Sequence, residues 1–315
     1  MLKKAADFGV DNLFISGAGW TGEPLMRKDF VELIRYVAEL KLSPYVKVTG
    51  WHFDRKVAKE LATANCKAII CFAGLKETDA KLRGEGAFED SINAAELCKE
   101  FDIPFAMSVI NTKYVVNQVP DLVKLAIDLG AKSFHLASLI PQPIDVENQL
   151  KVLGPLEPTP QQREDQLKEI YDLSKKVQDK ILIVPYEMFN NRLLKTKEPS
   201  RELKSTCSMC DNLKKCEWLE ILEDGKAYAC APLDLEFGDI RTDSIQQIMD
   251  RMPKSEKLKK LADRNNLKGK CGVCEFKTIC GGCRARAYIY SKDSLNQDPA
   301  CVYRPKGICQ LIEEK

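Results

Sequence analysis

Histidine is scarce in this chain, since His52 and His135 are the only two among 315 residues. Neither has a second metal-binding side chain at ligand spacing, so we expect ordinary packing or hydrogen bonding from each. Charge of one sign is not in excess either, because 46 acidic side chains face 48 basic ones. This balance argues against a general nucleic-acid-binding or membrane-binding surface.

Long apolar runs are also missing. No stretch approaches the roughly 20 apolar residues that a membrane-spanning helix needs. The first residues, Met1-Leu2-Lys3-Lys4, lead into no apolar signal-peptide core. These absences predict a soluble, cytoplasmic protein.

Cysteine is absent from the first 65 residues and concentrated near the end. The first is Cys66, and ten of the thirteen follow residue 200. In a long chain without a secretory leader, such clustering favours reduced, metal-binding thiols over a disulfide scaffold. Cys66, Cys71 and Cys98 lie in apolar strand or helix patterns, so we expect buried structural thiols there.

The length of 315 residues predicts two packed units. Up to about residue 200, strand-like and helix-like segments alternate every 25 to 35 residues or so. The predicted strands are 11–16, 45–49, 68–72, 104–110, 133–136 and 181–184. The predicted helices are 28–40, 54–64, 88–101, 120–129 and 161–178, with a proline-rich loop over 139–160. This alternation predicts a parallel sheet with covering helices, either open or curled into part of a barrel.

The loop Gly22-Glu23-Pro24 follows the first predicted strand. In such folds, ligands bind at the carboxyl ends of the strands. Glycine lets the backbone approach a ligand, proline fixes the turn, and the Glu23 carboxylate can accept hydrogen bonds from an ammonium group. The loop is a candidate ligand site, and a plain turn is the alternative.

Two sets of four thiols occupy the last third of the chain. Cys271, Cys274, Cys280 and Cys283 follow one another at spacings of two, five and two residues. Four thiols so close together do not pair readily as disulfides, but they can converge on a metal. Soft thiolates suit both zinc and iron–sulfur clusters, so spacing alone leaves both open. The lysine-rich stretch 254–260 predicts a solvated helix face.

The complete cysteine pattern resembles a known domain. It reads Cys210-x5-Cys216-x8-Gly225-x4-Cys230, then the four thiols from Cys271 to Cys283, then Cys301. This is similar to the SPASM domain, the C-terminal extension of radical SAM enzymes that carries two auxiliary [4Fe–4S] clusters. Thr21-Gly22-Glu23-Pro24-Leu25 likewise resembles the Gly-Gly-Glu-Pro-Leu loop of the radical SAM core. The resemblance implies an incomplete parallel (β/α) barrel over 1–200 and a small cysteine-rich iron–sulfur domain over 201–315.

The resemblance also implies roles for individual residues. Cys210, Cys216, Cys230 and Cys283 would hold one auxiliary cluster, and Cys271, Cys274, Cys280 and Cys301 the other. Cys207 is an alternative to Cys210, whereas Cys309 is expected to be a tail thiol. Gly22, Glu23 and Pro24 would lie beside S-adenosylmethionine. The resemblance assigns no catalytic residue.

Several family features are missing from these 315 residues. The Cys-x3-Cys-x2-Cys loop that binds the catalytic cluster does not occur, so S-adenosylmethionine and a third [4Fe–4S] cluster are expected only if that loop is supplied. Met1 falls where the first helix of the family belongs, and we expect a truncated or misassigned start in preference to an inactive paralogue. The usual Thr-Asn-Gly is Thr49-Gly50, and the usual Ser-x-Asp-Gly is Cys71-Phe72-Ala73-Gly74.

The amino-acid sequence around the last cysteines is similar to that of the alternative-haem and haem d1 branch of the family. This similarity rests on Cys274-Glu275-Phe276-Lys277, on Cys280 to Tyr288, and on Asp298-Pro299-x-Cys301. This branch implies a modified tetrapyrrole substrate, side-chain decarboxylation or loss, and an electron donor such as ferredoxin or flavodoxin. Arg284 and Arg286 would contact a substrate carboxylate or serve a structural role beside a cluster. Maturation of a peptide or a tungsten cofactor is the rival activity, and a non-catalytic electron-transfer or scaffold protein is the rival class.

Overall fold

The computed structural model describes residues 1–10, 12–17, 22–141, 146–202 and 218–306. Contacts group the chain into two compact units. The first comprises residues 1–138 and 172–185, and the second comprises residues 139–171 and 186–315. This grouping differs from a division near residue 200, which stays a prediction about where two family domains meet.

An open sheet forms the centre of the first unit. Its strands lie side by side in chain order, and the pairings from β1 to β5 are parallel. The strands are β1 (Phe14–Ile15), β2 (Tyr45–Val48), β3 (Lys67–Phe72), β4 (Phe105–Asn111), β5 (Ser133–Ser138) and β6 (Leu182–Tyr186). Because the order is linear, the sheet is not closed into a barrel, which confirms the fold class predicted from the sequence.

Helices connect these strands and cover one face of the sheet. They are α1 (Leu2–Phe8), α2 (Phe30–Glu39), α3 (Arg55–Thr63), α4 (Lys76–Arg83), α5 (Ala87–Glu100) and α6 (Val119–Leu129). The covered face carries Val48, Ile70, Met107 and Phe134, which the strand register places in one row and which are at most 1% exposed. Burial of these side chains supplies most of the driving force for packing helices on the sheet.

Two helices differ from the expectations drawn from the sequence. No helix is predicted over Lys76–Arg83, yet α4 forms there with Asp79 as its one buried residue. The loop predicted over 139–160 contains α7 (Val146–Leu153), which buries no side chain. α4 lacks the apolar stripe from which a helix is recognised in a sequence, so local helix propensity accounts for it. In α7, Val146, Leu150 and Leu153 do share one face, but the prolines on either side of this segment favoured the loop prediction.

The second unit contains short elements joined by long turns. Besides α7, its helices among the described residues are α8 (Pro160–Val177, of which the first part belongs to this unit), α9 (Asn190–Lys197), α10 (Ile245–Arg251), α11 (Glu256–Ala262), α12 (Gly269–Gly272) and α13 (Arg284–Ser291). An antiparallel sheet, not predicted from the sequence, joins β7 (Glu220–Ile221), β8 (Lys226–Tyr228) and β9 (Glu236–Asp239).

The lysine-rich stretch forms α11 as predicted, with Leu258 and Leu261 buried and the lysines on the opposite face. Among the helices of the described residues, none combines the length and apolar character that crossing a membrane requires.

Candidate metal centre and ligand loop

The Gly22-Glu23-Pro24 loop lies at the carboxyl end of β1 in the first unit. Glu23 precedes a short 3-10 turn, Pro24–Met26, and its Oε1 accepts a hydrogen bond of 3.0 Å from Leu25 N. Its Oε2 accepts from Thr49 N at 2.6 Å and from Thr49 Oγ1. Gly22 and Gly17 approach so closely that a Cβ on Gly17 would lie 2.0 Å from the carbonyl carbon of Gly22. The loop is therefore held in one conformation by its own backbone and by the end of β2.

A polar network fixes Thr49 from its other side. Ser91 Oγ donates to Thr49 O at 2.9 Å, and Arg83 Nη2 donates to the same oxygen at 3.2 Å. Arg83 Nη1 also donates to Cys71 O at the end of β3. Ser91 Oγ lies 3.1 Å from the same oxygen, so its single proton can be donated to either carbonyl. Arg83 and Ser91 thus join the carboxyl ends of two neighbouring strands, and through Thr49 they hold the Glu23 carboxylate.

Asp79 completes this network beneath the loop after β3. Its Oδ2 accepts from Ala73 N at 2.8 Å, and its Oδ1 lies 3.1 Å from Arg83 Nε. Burial raises the pKa of Asp79, which the nearby Arg83 and the Ala73 N–H oppose. Asp79, Arg83 and Ser91 were not predicted from the sequence. The sequence does show these three residues at spacings of four and eight positions. Such a pattern is common on solvated helices, so it does not indicate a buried network.

Four of the predicted ligand cysteines line one cavity in the second unit. They are Cys271, Cys274, Cys280 and Cys301, which line a small cavity that is partly open to solvent. Cys271 lies on α12, and Cys274 and Cys280 lie in the turns that follow. Cys301 lies in the segment that follows α13 in the chain. Gly281 and Gly282, both with φ of 66°, let the chain turn sharply beside Cys280. The structure therefore brings together residues spread over 31 positions.

Burial opposes ionisation of three of these thiols. Burial raises the pKa of Cys280 to about 12 and that of Cys301 to about 11, and it also raises the pKa of Cys274. Backbone N–H groups two residues further on act in the opposite direction, by hydrogen bonding to the sulfurs. Without metal, Cys274, Cys280 and Cys301 hold their protons at neutral pH, so a bound metal must displace these protons and supply the compensating charge.

Cationic side chains also line the cavity, namely Arg192, Lys270 and Lys277. Lys270 Nζ donates to Cys301 O at 2.6 Å. Arg192 pairs with Glu164 and lies 4.7 Å over the Tyr303 ring, and its charge lowers the pKa of Cys274 and Cys301 against the effect of burial. These charges offset the negative charge of four thiolates.

A single metal ion and a cluster place different demands on the spacing of their thiolate ligands. One tetrahedral zinc ion at about 2.3 Å from each sulfur requires sulfurs roughly 3.8 Å apart. Within the described ranges, no three histidine, cysteine, aspartate or glutamate side chains are arranged to hold one metal ion. Four thiols that line one cavity beside cations and backbone N–H groups are a ligand set that suits either a tetrahedral zinc ion or an iron–sulfur cluster.

The other predicted ligand set is described only in part. Cys207, Cys210, Cys216 and Cys309 lie outside the described residues. Cys230 begins the turn Ala231–Leu233, and that turn packs against α13, which begins directly after Cys283. The Cys283 thiol caps this helix by accepting from Arg286 N at 3.4 Å. Cys230 and Cys283 thus belong to one packed region, while their role as ligands stays a prediction.

Both arginines after Cys283 are buried, Arg284 at 1% and Arg286 at 2% exposed. Arg284 donates to Ser294 O and Asn296 O, and its Nη2 lies 3.7 Å from Cys271 Sγ. Arg286 is paired with Asp298 and Glu187. Their geometry therefore supports the structural role beside a cluster rather than contact with a substrate carboxylate.

Comparison with known proteins extends these observations. Residues 210–275 match the SPASM domain, an iron-sulfur cluster-binding domain. The AdoMet-dependent heme synthase of Methanosarcina barkeri is 30% identical over 313 residues, which span 96% of this chain and 86% of that protein. The PqqA peptide cyclase of Bradyrhizobium diazoefficiens is 25% identical over 314 residues, which span 97% and 77%. The solved structure of native anSMEcpe with bound AdoMet and Cp18Cys peptide is 19% identical, covers 100% of this chain and 85% of that one, and superposes with a TM-score of 0.68.

The match over 210–275 makes the C-terminal region an iron–sulfur domain of the SPASM type. Because 30% identity extends along nearly the whole chain and most of the archaeal relative, the chain belongs to the radical SAM enzymes that carry a SPASM domain. The family predicted from the cysteine pattern and the Gly-Glu-Pro loop is thereby confirmed.

Proposed function

We propose that this protein acts on a modified tetrapyrrole, by removal of a side-chain carboxyl group. The observation that carries the substrate class is the 30% identity to an AdoMet-dependent heme synthase over 96% of the chain, against 25% for a PqqA peptide cyclase. Both relatives align over nearly the same length, so the difference reflects sequence rather than coverage.

We assign two auxiliary [4Fe–4S] clusters to the second unit. Cys271, Cys274, Cys280 and Cys301 would hold one, and Cys210, Cys216, Cys230 and Cys283 the other. A bound cluster of this kind supplies one-electron transfer. The protein's own contribution is to hold four thiolates around one cavity and to offset their charge with Arg192, Lys270 and backbone N–H groups. A ferredoxin or flavodoxin is the proposed electron donor.

The Glu23 loop is the proposed site for the methionine part of S-adenosylmethionine. Three hydrogen bonds from Leu25 and Thr49 occupy part of the Glu23 carboxylate, which has about four lone-pair positions. A position therefore remains for an ammonium group. The radical step also requires the Cys-x3-Cys-x2-Cys loop, which these 315 residues do not contain.

Metal analysis of anaerobically purified and reconstituted protein tests the cluster assignment. Two [4Fe–4S] clusters require about eight iron atoms per chain. C274A should lower the iron content by about half, and the buried structural thiol variant C66A should retain all of it. Two zinc ions per chain in place of iron would refute the assignment.

Turnover tests the substrate assignment. The gene upstream of Met1 should be sequenced, and any longer reading frame with a Cys-x3-Cys-x2-Cys loop expressed. That protein, with S-adenosylmethionine and a reductant, should remove carboxyl groups from an iron porphyrin propionate, detected by mass spectrometry. Modification of a cysteine-rich or glutamate-containing peptide instead would favour the peptide maturase function.

A second function is favoured by one observation, the absence of the Cys-x3-Cys-x2-Cys loop from these 315 residues. If the reading frame cannot be extended to include it, a non-catalytic iron–sulfur electron-transfer or scaffold protein becomes the better proposal. Such a protein should load its auxiliary clusters normally and leave S-adenosylmethionine uncleaved.

A further inference from the structure

The sheet of the first unit has one polar face. Register places Lys47, Ile69, Ala106 and Ser133 in one row across β2 to β5, and Cys71, Ser108 and His135 in a row nearer the carboxyl ends of the strands. Both rows share a face, because they are separated by one residue of each strand. The row between them points to the opposite face and is the apolar, buried row of Val48, Ile70, Met107 and Phe134.

A polar face is unusual in a parallel sheet. Such sheets are normally covered on both faces, and their strands are continuously apolar. Here Lys47 and His135 are only half-buried, on strands whose alternate residues are fully buried. Packing alone does not require a lysine and a histidine at these positions, because aliphatic residues would suit the sheet better.

Lys47 and His135 act on the same region of this face although their strands are not neighbours. Burial lowers the pKa of His135, and the positive charge of Lys47 lowers it further. The charge of Lys47 also lowers the pKa of Cys71, in opposition to burial. The side chains between the two basic groups include Ala106 and Ser108, which are small. Lys47 therefore brings positive charge to a region that Arg83 and the Glu23 carboxylate also border. Ala106 and Ser108 give this region a floor of short side chains.

We propose that Lys47 and His135, with Ser108 on β4, bind one propionate carboxylate of a porphyrin. The proposal rests on the proposed function, which supplies the substrate class. A carboxylate accepts charge-assisted hydrogen bonds from an ammonium group, an imidazole N–H and a hydroxyl. Ser133 Oγ lies 2.9 Å from His135 Nε2 and fixes the orientation of the ring.

The chain offers a matched control on the same face. Lys67 lies on β3 nearer the amino ends of the strands, and its Nζ lies 3.3 Å from Tyr45 OH and 4.8 Å from the centre of that ring. K67M removes one positive charge from the polar face without touching the proposed site. K47M and K67M therefore have the same net charge and differ in position only.

The test is an absorbance titration of the 315-residue chain with iron coproporphyrin III, which has four propionates, and with its tetramethyl ester. We expect K47M to weaken binding of the acid by about tenfold or more and H135Q by about three- to tenfold, as for loss of a charge-assisted hydrogen bond. K67M should stay within about twofold of wild type, and K47R should restore most of the affinity. The ester should bind wild type and K47M equally.

The outcomes separate this inference from the proposed function. Failure of the wild-type chain to bind any porphyrin would overturn the substrate class. If wild type binds porphyrin and the K47M and H135Q variants bind it equally well, the proposed site is wrong although the substrate class stands. Equal affinity of wild type for the acid and the ester would have the same meaning, and this comparison needs no variant. Loss of S-adenosylmethionine binding in K47M, with porphyrin binding intact, would assign Lys47 to a different carboxylate. Binding of a glutamate-containing peptide at this site, without binding of porphyrin, would show that the carboxylate recognised there belongs to a peptide.

Discussion

Arg286 and Asp298 form a buried ion pair with two contacts, Nε to Oδ1 at 2.8 Å and Nη2 to Oδ2 at 3.1 Å. Burial acts to lower the pKa of Arg286 and to raise that of Asp298, but their mutual attraction prevails, so both stay charged. Asp298 also accepts from Cys283 N at 2.7 Å and from Ala300 N at 3.0 Å. The pair therefore ties the start of α13 to the segment that carries Cys301.

Replacing Asp298 should destabilise the second unit severely. D298N removes the negative charge and leaves Arg286 buried beside Glu187 alone, and breaking one partner of a buried pair costs about 3–5 kcal/mol. We expect a much lower free energy of unfolding in denaturant titrations, together with reduced iron content after reconstitution.

The matched control is D293N. Asp293 pairs with Lys268 at 2.7 Å, but their side chains are 36% and 61% exposed, and exposed pairs contribute about 0–1 kcal/mol. Unfolding free energies of D298N and D293N that agree within error would show that the buried pair does not stabilise this region.

Gly282 should tolerate no side chain. Its φ is +66°, and a Cβ there would lie 2.7 Å from Asp298 Cβ and 2.9 Å from Arg284 Nη2. G282A should cost about 1–2 kcal/mol for the left-handed backbone and about 1–3 kcal/mol more for overlap with Asp298 and Arg284. Thermal unfolding measures the sum, and the iron content reports whether Cys280 and Cys283 still bind.

G130A serves as the control for backbone strain. Gly130 ends α6 with φ of +86°, and a Cβ there meets nothing within 4 Å. Only the cost of the left-handed conformation should appear, about 1–2 kcal/mol. If G130A proves as destabilising as G282A, crowding at Gly282 is not the reason for that glycine.

The sequence predicted most of the sheet because its strands are short apolar runs bounded by helical patterns. β3 and β4 were each predicted within one residue of their observed ends. α4 was missed because its buried residue is Asp79, a charged side chain that periodicity does not count as core. The antiparallel strands β7 to β9 are two to four residues long and lack an alternating pattern.

At the candidate site, ligand residues were easier to predict than the residues that support them. Cysteines at ligand spacing are visible in a sequence, and four of those predicted do line one cavity. The buried pairing of Arg286 with Glu187 joins residues 99 positions apart. Nothing in the spacing of such a pair distinguishes it from charged residues on the surface. The pair is therefore recognised only in the three-dimensional structure.

Arg284 should raise the reduction potential of the cluster that we assign to Cys271. Its Nη2 donates to Cys271 Sγ at 3.7 Å, and a hydrogen bond to a ligand sulfur favours the reduced, more negative cluster. R284K withdraws the planar donor group while keeping the charge. If the lost interaction is worth about 1.4 kcal/mol, the potential falls by about 60 mV for one electron. A redox titration followed by electron paramagnetic resonance measures the shift.

R241K is the control for this shift. Arg241 lies in the same unit, pairs with Asp239 and is 66% exposed. Its replacement should leave the potential of both clusters unchanged. Equal potentials in R284K and wild type would mean that Arg284 only holds the turn through Ser294 O and Asn296 O.

His135 should make the stability of the first unit depend on pH. Burial, assisted by Lys47, lowers the pKa of His135 below its ordinary value of 6.5, so the folded protein binds this proton less readily than the unfolded chain does. Stability rises with pH wherever the unfolded state binds more protons. The free energy of unfolding should therefore fall as the pH drops through about 6.5, and H135Q should make the fall shallower. Denaturant titrations from about pH 7.5 to about pH 5.5 measure both slopes. Parallel curves for wild type and H135Q would show that His135 titrates alike in the folded and unfolded states.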